Sequence, residues 1–255
     1  MENKTILISG GLGLLGKQFA ITLSELQATV VVLDTSEQIR RQYMSSIDRY
    51  LAVSCDITNE NQVMDVLQSI HNRLGHIDIL INCAAYNEQP SGYIDNSFEN
   101  YSLDKWNRTL AVNLTGAFLL SRECIRYMLR NENEGFKGAI INIASDLGII
   151  TSDQSIYENG YIKPPAYGVS KAGLLHLTKY IAGYYRDEIK SVALTLGSVY
   201  NGQSDILKKN LEDRIPIGRL ARVAEYNGAI KFLCSSDSDY MQGNNLILCG
   251  GRNIW

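Results

Sequence analysis

Ser9-Gly10-Gly11-Leu12-Gly13-Leu14-Leu15-Gly16 is the stretch that decides how this chain folds. It lies between an apolar run of strand character, Thr5–Ser9, and a segment of helical period, Leu15–Gln27. Glycines at that junction permit a tight turn and let backbone N–H groups at a helix start come close to a pyrophosphate. A glycine-rich loop is weak evidence alone, but the strand before it and the helix after it are the context that gives it meaning. Gly10, Gly13 and Gly16 are therefore candidate cofactor-binding positions. A second strand, Thr29–Asp34, ends on a carboxylate 18 residues after Gly16. Asp34 at that place can accept hydrogen bonds from the adenosine-ribose hydroxyls and would repel a 2′-phosphate. No Arg or Lys lies in the loop or directly after Asp34, with Lys17 on the helix the nearest, so NAD is expected over NADP. Asp34 can alternatively cap the helix expected from about Ser36.

The same alternation continues along the chain. Strands are expected near Tyr50–Cys55 and over Ile77–Asn82, Gly138–Ala144, Ser191–Leu196 and Asn244–Leu248. Helices are expected over Asn59–Leu74, Leu103–Arg130, around Tyr167, and from about Val223 to Cys234. This βαβ rhythm predicts an α/β protein: a doubly wound, seven-stranded parallel sheet with helices on both faces. No linker, repeat or low-complexity tract divides the chain, so residues 1–255 read as one domain. Asp56-Ile57, after the third strand, is placed to touch an adenine ring. Asn82-Cys83-Ala84-Ala85, after the fourth, lies where the backbone passes close beside a cofactor. Longer connections at about 85–101 and 145–165 leave the carboxyl ends of strands, where ligands bind in such sheets. A third, at about 197–216, reads as a small substrate loop. Their Tyr86, Tyr93, Tyr157 and Tyr161 suit hydrogen bonding to a polar small molecule, although plain surface loops would look similar.

Composition narrows the class. Hydrophobic content of 45%, charged content of 20% and a net charge of −3 describe an ordinary globular protein with enough apolar material for a core. No basic run suggests a nucleic acid or a membrane surface as partner, and no apolar run is long enough to span a bilayer. The chain enters strand character within five residues, which leaves no room for a signal peptide. Cys55, Cys83, Cys124, Cys234 and Cys249 are scattered and odd in number, so reduced thiols in a cytoplasm are expected. His71, His76 and His176 have no ligand spacing, and no metal site is expected.

Tyr167-Gly168-Val169-Ser170-Lys171 reads as helix, and there Tyr167 and Lys171 share a face. A cation near a phenol lowers its pKa towards the range useful for proton transfer. Alone, Tyr-x-x-x-Lys is a frequent accident of amphipathic helices. Taken with the upstream motifs, however, the chain resembles the short-chain dehydrogenase/reductase family, single-domain type, over nearly its whole length. The carrying residues are the Gly10–Gly16 loop, Asp34, Asp56, Asn82-Cys83-Ala84-Ala85, Asn113 in Val112-Asn113-Leu114-Thr115-Gly116, Ser145 in Asn142-Ile143-Ala144-Ser145, and Tyr167/Lys171.

The resemblance implies a Rossmann-like fold and an oxidoreductase that interconverts an alcohol and a ketone with NAD. Tyr167 would exchange the proton, Lys171 would lower its pKa and hold the nicotinamide ribose, and Ser145 would polarise the substrate oxygen. Asn113 would help hold a water linking Lys171 to solvent. Leu14, Leu15, Gly197 and Val199 would be further cofactor contacts, together with Ile57, Asn82 and Ala84. A homotetramer or homodimer built on the Leu103–Arg130 and Tyr167–Glu188 helices is implied, with Trp255 either at that interface or folded back.

Four departures stand out. The glycines follow a Gly-x-x-Gly-x-x-Gly spacing seen in the larger, sugar-nucleotide-modifying branch, with Leu14 where the single-domain type has its middle glycine. Cys83 and Ala85 replace the usual second Asn and final Gly. Leu196-Gly197 replaces Pro-Gly. Ser145 and Tyr167 stand 22 positions apart, longer than usual, which implies an insertion over the active site. That long loop, ending Ile162-Lys163-Pro164-Pro165-Ala166-Tyr167, is similar to dehydrogenases of bacterial surface-sugar and flagellin-modification pathways. Tyr157, Tyr161 and Lys163 are then expected to bind a sugar, sugar phosphate or nucleotide sugar. The glycine spacing also admits an epimerase or dehydratase that keeps NAD and returns the hydride, but only 59 residues follow Leu196, too few for its usual extra domain. A non-catalytic NAD sensor would normally lack Ser145, Tyr167 or Lys171.

Overall fold

Short runs rich in Ile, Leu and Val become the strands of one sheet, whose inner strands are buried on both sides while the two edge strands are partly exposed. A computed structural model describes residues 1–35, 50–88, 97–158 and 160–254. Its elements are β1 (Thr5–Ser9), α1 (Leu14–Ser24), β2 (Thr29–Asp34), β3 (Leu51–Ser54), α2 (Glu60–Leu74) and β4 (Ile79–Asn82). There follow α3 (Leu103–Leu110), α4 (Ala117–Met128), β5 (Gly138–Ser145), α5 (Pro165–Tyr185), β6 (Ile189–Leu196), α6 (Asp205–Glu212), α7 (Asn227–Cys234) and β7 (Asn245–Leu248). The seven strands are parallel in the order β3-β2-β1-β4-β5-β6-β7. Strand order therefore reverses between β1 and β4, which opens a crevice at their carboxyl ends.

Alternation along each strand divides the core in two. Ile6, Ile8, Val30, Val32, Ile141 and Val192 face Phe19, Ala20 and Leu23 of α1 and Ile230 and Leu233 of α7. Leu7, Val31, Leu33, Leu80 and Ile140 face Val63 and Leu67 of α2, Leu120, Cys124 and Met128 of α4, and Ile181 of α5. Each fully buried Leu, Ile or Phe contributes roughly 1.5–3 kcal/mol of transfer free energy, so these two layers hold the sheet. A third, smaller cluster joins Ile156 to Leu211, Ile215 and Leu220, with Tyr157 and Leu207 packed against it. It ties the long loop after β5 to the segment after β6.

Three differences from the sequence reading have local causes. The long helix expected over Leu103–Arg130 is interrupted by a π-helical turn at Ala111–Gly116, which swings Asn113 inward. The expected loop 197–216 contains the helix α6, whose N-terminus is capped by the Ser204 hydroxyl accepting from Leu207 N–H. The helix expected from Val223 begins as a 3₁₀ turn over Val223–Tyr226. The helix expected from about Ser36, Tyr93 and Trp255 lie outside the described residues. All five cysteines are free. No described helix is long and apolar enough to cross a membrane. No group of three or more metal-ligating side chains occurs among the described residues.

Candidate active site

The carboxyl ends of β1, β4, β5 and β6 bring the motif residues to one place. In the glycine loop, Gly10 has φ +64°, a conformation that favours glycine, and its N–H donates to Leu33 C=O at 2.8 Å. A Cβ on Gly10 would stand 2.6 Å from the Ala84 Cα, so Ala84 is the residue that closes on the loop from β4. A Cβ on Gly16 would lie 2.2 Å from the Gly10 carbonyl oxygen, so only glycine lets α1 start this close to β1. Gly13 is the N-cap of α1, and neither a capping side chain nor an acidic residue occupies its first turn. The N–H groups of Leu14, Leu15 and Gly16 thus lack intrahelical partners and present the positive end of the helix to an anion. Asp34 accepts from Leu12 N–H (3.0 Å) and Thr35 N–H (2.9 Å), which fixes its carboxylate beside the loop. These residues fit a dinucleotide: an uncapped, side-chain-free helix start for the pyrophosphate and a fixed acceptor for the ribose.

Other expected cofactor residues are spread around this cradle. Asp56 is exposed and accepts from Thr58 N–H and Oγ1 (3.0 and 2.7 Å). Ile57 is buried, with its side chain against Gly116. The Asn82 amide spans the sheet, donating to Asn142 Oδ1 (2.8 Å) and Ser121 Oγ (2.9 Å), so its side chain serves the scaffold. Gly197 donates to Leu248 C=O (3.0 Å), and a Cβ there would stand 2.7 Å from the Cys249 Cα. Leu196, in the place of the family's Pro, is an ordinary buried strand residue paired with Leu248. Val199 pairs with Ala221 in an isolated bridge.

Asn113 earns its polar place in an apolar helix. Its Oδ1 accepts from Tyr86 N–H at 2.6 Å, and its Nδ2 donates to Tyr86 C=O (3.1 Å) and Ser170 Oγ (3.0 Å). The amide thus pins the chain leaving β4 to α5, and the π turn is what aims it there. Lys171 is buried and donates to Ile143 C=O at 2.8 Å, its Nζ standing 5.9 Å from the centre of the Tyr167 ring. Burial pushes the Lys171 ammonium down to about 8. The Tyr167 phenol goes the other way: burial pushes it up to about 12, and the hydrogen bond with Ser145 only partly offsets that. This corrects the expectation that Lys171 holds the phenol low. Desolvation outweighs a cation turned to a backbone carbonyl, and Tyr167 is a protonated donor at neutral pH. The Cys83 thiol nearby is also pushed up, to about 12, by burial, and is therefore unreactive.

Ser145, at the end of β5, donates to Asp146 Oδ1 (3.1 Å) and accepts from Leu147 N–H (3.2 Å). Asp146 in turn pairs through Oδ2 with Arg252 at 3.0 Å, both side chains almost wholly buried. The long loop is folded over this pair. Gln154 clamps Lys163, accepting from its N–H (2.8 Å) and donating to its C=O (3.3 Å). Arg214 pairs with Asp153, and Asn210 donates to Ile156 C=O at 2.9 Å. Tyr157 and Tyr161 meet edge to face at 5.2 Å, and the Tyr161 hydroxyl donates to Glu88 C=O at 3.2 Å. Lys163 is buried with its Nζ 2.5 Å from Asn87 Oδ1 and 4.6 Å from the Tyr167 ring centre. A shallow surface depression lined by Asp65, Ser69 and Arg73 on α2 lies away from these strand ends.

A family model described as Enoyl-(Acyl carrier protein) reductase matches residues 13–253. The chain belongs to the short-chain dehydrogenase/reductase family. Trans-4-hydroxycyclohexanecarboxylate dehydrogenase of Sinomonas cyclohexanicum is 31% identical over 265 residues, covering 99% of this chain and 93% of that protein. A short chain dehydrogenase from Leptospira borgpetersenii with bound NAD+ superposes with a TM-score of 0.85 at 30% identity, covering 99% of this chain and 94% of that one. A gluconate 5-dehydrogenase from Burkholderia cenocepacia in complex with NADP and tartrate gives 0.82 at 25% identity, covering 100% and 97%. This short-chain dehydrogenase/reductase also has site residues that sequence reading missed. Asp146 carried a signal, a carboxylate directly after a run of buried strand residues. Arg252, 106 positions away, carried none. Ser170 and Asn87 become legible only once their partners are placed.

Proposed function

We propose that this chain is an NAD-dependent oxidoreductase that interconverts an alcohol and a ketone on a polar, hydroxyl-rich substrate of the sugar class: a sugar, sugar phosphate or nucleotide sugar. The observation that carries this reading is the joining of Ser145, Tyr167, Lys171 and Asn113 at the carboxyl ends of the strands beside an uncapped glycine cradle. When bound, the nicotinamide supplies the hydride or accepts it. Tyr167, kept protonated by burial, gives its proton to the oxygen of the nascent alcohol and is left as the phenolate; in the oxidative direction the proton returns from the alcohol to that phenolate. Ser145 polarises that oxygen, an electrostatic role worth about 2.7–4 kcal/mol for a well-placed donor. Lys171 would hold the nicotinamide ribose beside Tyr167, and Asn113, which ties the chain after β4 to α5, would help hold a water linking Lys171 to solvent.

Asp34 supports NAD over NADP, because a carboxylate fixed beside the glycine loop repels a 2′-phosphate. The folded long loop, with Tyr157, Tyr161 and Lys163 over Tyr167, supports a polar substrate, as in the surface-sugar branch that this loop resembles. Two of the relatives are named for hydroxyl-bearing carboxylates, which fits a polar alcohol as substrate. The exposed Phe118 on α4 and the exposed, stacked Tyr180 and Tyr184 on α5 support a dimer or tetramer across those helices. A scan of polyols, sugars, sugar acids and sugar phosphates with NAD and NADP, followed by nicotinamide absorbance, tests the reading. Turnover on one class, faster with NAD and about 10²–10³-fold slower in Ser145→Ala, is expected. Turnover untouched by Ser145→Ala would refute the assignment.

A further inference from the structure

Lys163 is a buried cation with no carboxylate at hydrogen-bonding distance among the described residues. It is 8% exposed. Its ammonium can donate three hydrogen bonds, and its one hydrogen-bond partner among the described residues is the neutral Asn87 Oδ1, at 2.5 Å. Asp146, the buried carboxylate in this part of the site, is already committed to Arg252, Ser145 and Leu147. A buried charge without an ionic partner is destabilising, and a ligand of opposite charge would offset that.

A second, independent feature stands beside it. Lys163 directly precedes Pro164, the N-cap of the 21-residue helix α5, and no side chain caps that helix end. Pro164 and Pro165 carry no N–H, so the first turn of α5 offers the N–H groups of Ala166 and Tyr167 and the positive end of the helix macrodipole, in the segment that directly follows Lys163. The lysine is also fixed in place. Its backbone is clamped on both sides by Gln154, and a residue before proline is held extended. Among the described residues, Lys163 and Lys171 lie near the Tyr167 ring, and the buried carboxylate of Asp146 is paired with Arg252.

We propose that Lys163 and the N-terminus of α5 form an anion subsite for a carboxylate carried by the substrate on a carbon adjacent to, or one removed from, the reacting carbinol. The reacting oxygen docks at the Tyr167 hydroxyl, and the ammonium lies over the same ring, so the anionic group must be short and close to the reacting carbon. A carboxylate on the neighbouring carbon reaches that far. A phosphate ester on the same carbon sets its terminal oxygens one bond further away and is bulkier. The substrate is then a hydroxy acid or sugar acid, and its product the corresponding keto acid. This rests on the alcohol/ketone reading and narrows it.

The test titrates the enzyme–NADH complex with tartrate, with threitol (the same carbon chain with both carboxylates replaced by CH2OH) and with inorganic phosphate, following NADH fluorescence. Wild type is compared with Lys163→Gln and Lys163→Arg, with folding checked by circular dichroism. Tartrate should bind at least about tenfold more tightly than threitol, the size of one charge-assisted contact. Lys163→Gln should abolish that preference, Lys163→Arg should restore part of it, and NADH affinity should stay within about twofold in both. The preference should also fade in wild type above about pH 8, because burial holds the Lys163 ammonium down to about 8, with Asp146 raising and Arg252 lowering it. Equal binding of tartrate and threitol, tighter binding of phosphate than tartrate, or a preference that survives in Lys163→Gln would overturn the subsite. Failure of wild type to bind NADH would instead overturn the oxidoreductase reading, and the subsite with it.

Discussion

The buried pair between Asp146 and Arg252 gives the sharpest energetic prediction. Arg252→Met removes a guanidinium 3.0 Å from a carboxylate when both side chains are nearly inaccessible. Breaking such a pair from one side typically costs about 3–5 kcal/mol, because the surviving charge stays buried without its partner. Asp146 keeps two donors, Ser145 Oγ–H at 3.1 Å and Leu147 N–H at 2.8 Å, which places the cost at the low end, about 3 kcal/mol. With a urea dependence of about 3 kcal/mol/M for a chain of this size, the unfolding midpoint should fall by about 1 M. Asp146→Asn alone should also destabilise, since it strands the Arg252 guanidinium. The double variant Asp146→Asn/Arg252→Met should cost less than the sum of the single variants by at least about 1 kcal/mol. Urea unfolding followed by circular dichroism, at one fixed protein concentration, measures all four corners of the cycle. Single variants each costing under about 1 kcal/mol, or costs that simply add, would refute the reasoning.

Gly16→Ala puts a Cβ 2.2 Å from the Gly10 carbonyl oxygen, so it should destabilise by roughly 1–3 kcal/mol and weaken NADH binding together, as read by thermal unfolding and fluorescence titration. Asn113→Ala strands the Tyr86 N–H and should cost about 1–3 kcal/mol in urea unfolding, with catalytic turnover reduced because the chain after β4 is no longer tied to α5. Asp34→Ser should raise the affinity for NADPH relative to NADH, and an unchanged ratio would separate Asp34 from cofactor choice. Stability should rise with pH from about 8 to about 9, above which the Cys55, Cys83, Cys124 and Cys234 thiols, all pushed up by burial, act in the opposite sense. Lys171 and Lys163 bind protons less well folded than unfolded, so the unfolded state carries more protons in that window. Lys171→Met should flatten that rise, and a profile unchanged by it would contradict the burial of the ammonium.

The seven strands and the doubly wound, parallel character of the sheet were legible because strand periodicity and the glycine loop are local signals. Gly16 could be read for the same reason: the close approach it permits is to residues of its own turn. What sequence could not supply depends on non-local contacts. The π turn at Ala111–Gly116 is set by what Asn113 reaches, Tyr86 and Ser170, rather than by any residue preference of the turn itself. Helix α6 is short, and Leu211 packs it against Ile156 of the long loop. The direction of the Tyr167 shift was misread from i and i+4 spacing because spacing shows that Lys171 shares a face, but says nothing of how dry that face is. Arg252 reaches the site only because the tail turns back through Gly250 and Gly251, at φ +64° and +87°, against Ile215, Pro216 and Ile217.

The central claim is that Tyr167 moves the proton while the fold around it binds the dinucleotide. It is tested most directly by single-turnover oxidation of bound NADH with a ketone substrate in wild type and Tyr167→Phe. The account predicts that the variant binds NADH with unchanged affinity and transfers hydride about 10²–10⁴-fold more slowly, the usual worth of a positioned general acid. Hydride transfer at the wild-type rate in Tyr167→Phe would contradict it.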